Sequence, residues 1–460
     1  MAPPTLHDTS LADLRAGFTG TLLVPGDEGY DESRSVFNAM IDRRPAVIAQ
    51  PANEAEAARA IDHARAEGLE IAVRGGGHSV AGNSACDGLV VDLRRMNGAE
   101  VDPSARTVRL GGGATMADLD AATQPHRLAT TGGRVSTTGV GGFVLGGGSG
   151  WLERAFGLAC DNLLAAEVVT ADGRLVRATA DTEPELFWAL HGGGGNFGVV
   201  TSMTLRLHPL PALTAALLVW PAQEGPEVVR AYRDFMAGAP DEAGGGLIYL
   251  TAADEPFVPH GLVGRLVCLV LITCTGHEAQ AREVMAPMLR RNHAGAMIAE
   301  MPYAQLQGML DDPPGYRNYW TAEHLRTFPD EAVDLFCERS GDMVVPSPSQ
   351  HVLFPQGGAV ARDAGLYPLP WRSAPWTVHP FGLWEDPADD VRAREWARGL
   401  RRDLQPWASG AVYLNFTGQE GQDRVVAGFG RENYRRLAAV KAEYDPENVF
   451  RRNHNIEPAA

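Results

Sequence analysis

The sequence predicts an α+β protein in two parts, and three observations carry that prediction. A compact β-α-β unit over residues 46–73 runs into a glycine turn. Glycine clusters then continue from 75 to 198 and largely stop at the Pro209 and Pro211 boundary. Beyond it, long apolar strands alternate with helices, the pattern of an antiparallel sheet with helices on one face.

In chain order, residues 1–43 form a lead in which Ser10, Leu11, Ala12 and Asp13 read as a helix start. Residues 46–49 read as a strand. Pro51 and Asn53 open a helix to about Gly68, with Ala57, Ala58, Ile61 and Ala64 as its apolar residues. The strand 71–73 delivers the loop Arg74-Gly75-Gly76-Gly77-His78-Ser79. Strands follow at 89–93, 101–102 and 107–110, then a glycine turn at 111–113 and a helix over 116–123. A second glycine-dense block spans 130–163. Val135, Phe143, Val144, Leu145, Trp151 and Leu152 punctuate it, unlike a flexible linker. Residues 165–170 and 175–178 read as a hairpin, 185–190 as a short helix, and the run 192–198 opens a strand at 199–207.

In the second part, strands are expected at 215–220, 262–275, 350–361 and 376–383, and helices at 226–237, 276–289 and 329–339. A helix over 390–404 leads through 411–416 to a helix at 431–443 and the tail YDPENVFRRNHNI.

Composition narrows the function. Hydrophobic residues at 45% and charged residues at 21% are those of a soluble globular chain, and 460 residues suffice for two or three domains. A net charge of −17 argues against nucleic acid as a partner, because phosphate binding needs a basic surface. The 5 cysteines show no CxxC and no Cys/His metal spacing, so no metal site is expected and reduced buried thiols are the default. The N-terminus lacks a basic start followed by an apolar core, and no run is long enough to span a bilayer. The expectation is therefore a cytoplasmic protein without a membrane partner.

The chemistry is concentrated in the glycine loops. Consecutive glycines let main-chain N–H groups press against a ligand, and such N–H groups form a concavity suited to a diphosphate. His78 projects an imidazole beside whatever the loop holds. A tight turn with a capping histidine is the simpler reading of RGGGHS taken alone. Gly193-x-Gly195-x-x-Gly198 matches the G-x-G-x-x-G fingerprint literally, but that fingerprint needs a strand before and a helix after it. Here a helix precedes and a strand follows, so a Rossmann fold is not expected.

Taken together, RGGGHS at 74–79, TTGVGGFVLGGGSGW at 137–151, GLACDNL at 157–163, GGGGNFGVVT at 192–201, YLNF at 413–416 and the closing block at 444–455 resemble one family in its own order. That family is the FAD-linked oxidases of the vanillyl-alcohol oxidase/p-cresol methylhydroxylase superfamily. Within it the chain resembles the berberine-bridge-enzyme-like branch, of the 6-hydroxy-D-nicotine oxidase type. The resemblance implies a PCMH-type FAD-binding domain over 1–208, an inserted substrate-binding domain over 209–404, and a segment 405–460 returning to the first.

It also implies site residues. His78 matches the histidine joined covalently to the flavin, and Arg74, Gly75, Gly76, Gly77 and Ser79 form its loop. Thr138, Gly139, Gly142, Gly146, Asp161 and Asn162 match the second FAD-contacting block, Gly198 and Val200 the adenine-side strand, and Asn453 and Asn455 the closing segment. Many relatives carry a cysteine that bonds the flavin a second time. Val135 stands at that position, so a single link is expected. Tyr413, with Asn415 in Tyr-x-Asn, matches a tyrosine that deprotonates substrate in several bacterial relatives. A strand tyrosine with a satisfied hydroxyl is the alternative. The plant relatives' glutamate base would fall near 365–367, where no glutamate occurs. Tyr249, Tyr316, Tyr319, Trp320, His351 and Trp371 are candidate pocket aromatics, with core packing the first reading of each.

The implied activity is hydride abstraction from a C–OH or C–N carbon of a small molecule, with the reduced flavin reoxidised by O₂, in a monomer or homodimer. A flavin oxygenase acting on a secondary metabolite and a non-catalytic FAD-binding protein share the same motifs.

Overall fold

The computed structural model describes residues 8–309, 311–312, 314–362 and 364–460. Residues 1–7, the start of the lead assigned to the first domain, lie outside the described residues. The architecture is α+β, with three main sheets. A four-stranded sheet runs Thr21–Leu23, Val47–Gln50, Leu89–Asp92, Ile71–Arg74. Its first pair is antiparallel and the rest parallel. The β-α-β unit read from the sequence is there, but its two strands do not pair. Leu89–Asp92 lies between them, so the crossover skips one position.

The crossover helix Glu54–Ala66 forms because Asn53 caps it, accepting a hydrogen bond from the Glu56 N–H. It buries Ala57, Ala60, Ile61 and Ala64, the i, i+3, i+4, i+7 stripe of one helix face. A five-stranded antiparallel sheet follows, in the order Ala99–Asp102, Thr107–Gly111, Val199–Arg206, Leu163–Val169, Leu175–Thr179. The expected hairpin is its Leu163–Val169 and Leu175–Thr179 pair.

The third sheet has eight strands, all antiparallel. Its alternation assigns two faces. Ala216, Leu218 and Trp220 of strand Leu213–Pro221 join a core with the helices Gly225–Gly238, Glu278–Leu289 and Asp330–Ser340. Ala215, Leu217 and Val219 of the same strand face the other way and pack with Trp151, Leu152, Val352 and Phe354. That second face turns toward the glycine-rich part of the chain.

Strand Ala243–Thr251 escaped the sequence reading because its glycines look like a turn. They serve close strand pairing instead: at Gly245, with φ +124°, an added Cβ would lie 2.0 Å from the Leu271 carbonyl oxygen. The strand expected to reach 361 ends at Pro355. The closing residues Val412, Leu414, Val425, Phe429, Leu437 and Tyr444 bury into the same core as Val108, Leu110 and Leu163. Among the described residues no helix is long and apolar enough to cross a membrane, no Cys/His/Asp/Glu cluster could hold a metal, and all five cysteines are free.

Candidate active site

One cavity of about 330 Å³ runs between the glycine loops and the inner face of the eight-stranded sheet. Its glycine end is main chain packed on main chain. A Cβ on Gly76 would sit 2.3 Å from the Gly139 amide nitrogen, and one on Gly139 would sit 2.1 Å from that of Gly76. The RGGGHS and TTGVGG blocks therefore need glycine at both positions to touch at all. Other glycines face space instead. A Cβ on Gly142, Gly194 or Gly195 would meet nothing within 4 Å, and all three line the cavity. The run 192–198 passes from the short turn Gly194–Asn196 into strand Val199–Arg206, with no helix after it, which excludes a Rossmann arrangement.

This wall is pinned from behind. Lys441 Nζ donates to the carbonyls of Asn196 and Phe450 (2.7 and 2.9 Å) and to Asp445 Oδ2 at 2.6 Å. Both members of that ion pair are completely buried. Burial pulls the Lys441 ammonium down, and the Asp445 carboxylate opposes it.

His78 stands at the mouth of the first loop. Its Nε2 is 2.7 Å from the Thr137 hydroxyl, and its ring stacks on Phe37 at 4.2 Å. Burial pushes its imidazole down to about 4, so at neutral pH it is uncharged. Gly75, Gly76, Gly77, Ser79, Thr138, Gly139, Gly142, Gly146, Gly198, Val200, Asn453, Tyr413 and Asn415 line the same cavity, as does Val135.

Other residues expected at the site lie elsewhere. Arg74 is buried and donates to the Ser33 carbonyl. Asp161 accepts both guanidinium nitrogens of Arg372 (2.7 and 2.6 Å) and the Leu158 N–H. Asn162 donates to the Phe156 and Leu158 carbonyls and pairs with His208 at 2.7 Å. These three hold the loops that shape the cavity rather than lining it. Asn455 also lies outside the lining. Residues 365–367, where a plant-type base would fall, are off the cavity too, with Tyr367 stacked on His191.

Tyr413 is 1% exposed. Its hydroxyl oxygen accepts from the Gly148 N–H (3.1 Å), the Ser149 N–H (3.2 Å) and Asn415 Nδ2 (3.0 Å). The Asn415 amide also reaches the Gly142 and Phe143 carbonyls, which fixes its NH₂ on this side. Burial pushes the phenol up to about 12, against the pull of Asn415, the two amides and Arg134.

The sequence reading passed over Arg134, although it sits between motif residues. Its guanidinium lies 3.9 Å from the Phe354 ring centre and 4.8 Å from that of Trp151. It donates to Ser149 and, at 3.3 Å, to Glu153. Of the candidate aromatics only Trp320 lines the cavity, stacked on Phe381 at 4.2 Å. Tyr249 and His351 belong to the helix-side layer, against Phe336. Trp371 packs in the same buried cluster as Tyr413, 5.1 Å from its ring.

Similarity to known proteins agrees with this geometry. The family model for the FAD binding domain matches residues 45–179, and the berberine and berberine-like model matches 412–457. The chain is 31% identical over 470 residues to (R)-6-hydroxynicotine oxidase of Paenarthrobacter nicotinovorans, covering 95% of this chain and 97% of that one. The chain belongs to the berberine-bridge-like FAD-linked oxidoreductases. Within the family, the crystal structure of 6-hydroxy-D-nicotine oxidase from Arthrobacter nicotinovorans superposes with a TM-score of 0.84 at 28% identity, over 96% of this chain and 98% of that one. BBE-like 1 of Physcomitrella patens shares the fold, with a TM-score of 0.86 at 21% identity over 97% and 99% of the two chains. This berberine-bridge-like chain is thus an FAD-binding oxidoreductase.

Proposed function

We propose that the protein is an oxidase: it takes a hydride from a C–OH or C–N carbon of a small organic substrate, and O₂ is the final electron acceptor. The observation that carries this reading is the single cavity where glycine-bared main chain faces Tyr413, Asn415 and the aromatic sheet wall. The glycine end fits FAD. Gly142 and Gly195 leave open space where any side chain would intrude, and Asn453 Oδ1 is buried without a partner. Gly75, Gly76, Gly77, Ser79, Thr138, Gly139, Gly146, Gly198 and Val200 would hold the cofactor with them. FAD, when bound, supplies the two-electron acceptor.

His78 is proposed as the sole covalent attachment point. Its neutral imidazole keeps the lone pair that a nucleophile needs, and Val135 offers no second one. Tyr413 is proposed to take the proton that the substrate O–H or N–H gives up. Among the described residues its oxygen has three N–H donors and no acceptor, an arrangement that offsets part of what burial costs a phenolate. Arg134 adds a positive charge on the same side. Because the phenol sits at about 12, the active fraction grows as pH rises. Residues 1–208 with 405–460 are proposed as the cofactor domain and 209–404 as the substrate domain. The burial of Val412, Leu414 and Phe429 in the first core supports that division.

The test is anaerobic mixing of the yellow protein with a panel of aromatic secondary alcohols and cyclic amines. At least one should bleach it, and air alone should restore the colour. Yellow protein that no compound bleaches, or that air cannot reoxidise, contradicts the reading. Labelled dioxygen appearing in the product would mark an oxygenase instead.

A further inference from the structure

The cavity wall supplied by the sheet combines the aromatic rings of Trp320, Phe354, His379 and Phe381 with Ile248, Val352 and Gln350. Strand Trp376–Trp384 pairs with Gln350–Pro355 in a register that sets His379 opposite Val352 and Phe381 opposite Gln350. His379, Phe381, Gln350, Val352 and Phe354 all line the cavity, while Val378 and Leu353 turn into the helix-side core. Alternation thus places His379 on the inner face.

Its ring is held on several sides. It stacks on Phe416 at 4.0 Å and 9°, and meets Trp320 and Phe381 edge-on. His379 Nδ1 lies 2.8 Å from the Thr321 carbonyl oxygen. A carbonyl only accepts, so Nδ1 carries the proton and Nε2 carries the lone pair. Burial, with Arg134 nearby, pushes the imidazole down to about 3 and keeps it neutral. The residue is 3% exposed. Among the described residues the bond from Nδ1 to Thr321 is the ring's one hydrogen bond, which leaves Nε2 to face the cavity that His379 lines. The wall therefore presents at His379 an acceptor fixed by its ring contacts and by the Nδ1 hydrogen bond.

Resting on the oxidase reading above, we infer that His379 is the specificity-determining acceptor of the substrate site. Its Nε2 takes a hydrogen bond from a hydroxyl on a neutral aromatic substrate, whose ring lies among Trp320, Phe381 and Phe416. No proton is transferred to it; its part is to orient. A site built around a buried acceptor discriminates strongly against an analogue that lacks the donor, because the acceptor is then left unpaired.

The experiment is calorimetric titration of flavin-loaded protein with naphthol and with its methyl ether, methoxynaphthalene. The parent protein should bind naphthol about tenfold or more tightly than the ether. His379→Phe, which keeps an aromatic ring but no acceptor, should bind the ether as the parent does and lose the preference. His379→Gln, which restores an acceptor, should recover part of it. Equal affinities in the parent, failure of the parent to bind either probe, or a preference that survives in His379→Phe would overturn the inference. Should the Phe variant not fold, His379→Leu and the parent's own ratio carry the same test. Flavin content, counted separately on each sample, reports on the cofactor reading and keeps its failure apart from this one.

Discussion

At the glycine end of the cavity, Gly76 and Gly139 let two loops meet main chain to main chain, and the surface offered is mostly peptide groups. At the sheet end, Trp320, Phe381, His379 and Phe354 hang from a regular antiparallel sheet, and the surface offered is side chain. Backbone recognition constrains residue type absolutely, since no other residue fits where a Cβ cannot. Side-chain recognition constrains only shape and a few polar atoms. The first end suits a cofactor that stays the same; the second can change its ligand while keeping the fold.

The most severe way to break this comparison is Gly76→Val. A Cβ 2.3 Å from the Gly139 nitrogen forces the two loops apart, so the variant should yield little folded protein and none that holds flavin. Expression yield and bound-flavin absorbance check it. Lys441→Met attacks the same end from behind. It leaves Asp445 buried and unpaired, and should cost about 3–5 kcal/mol, measured by denaturant unfolding.

Tyr413→Phe tests where the ends meet. Fold and flavin content should stay intact while the rate of flavin reduction drops about a hundredfold or more. In the parent that rate should climb with pH through the alkaline range, as a phenol near 12 loses its proton, and the Phe variant should lose that climb. The gentlest test is Gly142→Ala. Its Cβ points into open cavity rather than into backbone, so the stability of the flavin-free protein should change by no more than about 0.5 kcal/mol while the fraction of protein that incorporates flavin falls.

The same asymmetry explains what could be read from sequence. Gly75 to Ser79, Gly139, Gly142 and Gly198 were legible because close backbone contact leaves a signature of bare glycines, and all of them reach the cavity. Helices were legible wherever a cap and an apolar stripe coincided, as at Asn53 and Ala57 to Ala64. Asp161, Asn162 and Arg74 lie within those motifs but work one layer back, and proximity in sequence does not separate lining from support. Arg134 and His379 went unread. Each looks ordinary in its own segment: Arg134 is placed by contacts with Ser149, Glu153 and Phe354, and His379 by the pairing of its strand with Gln350–Pro355, neither of which the local sequence displays. Strand Ala243–Thr251 was hidden because its glycines serve strand pairing, not a ligand.

The central claim is that His78 fastens a flavin seated on glycine main chain, and acid precipitation tests it most directly. The parent protein should keep its yellow colour in the washed pellet, and His78→Ala should release all of its flavin to the supernatant. Colour that leaves the parent pellet, or that stays with the His78→Ala pellet, contradicts the account.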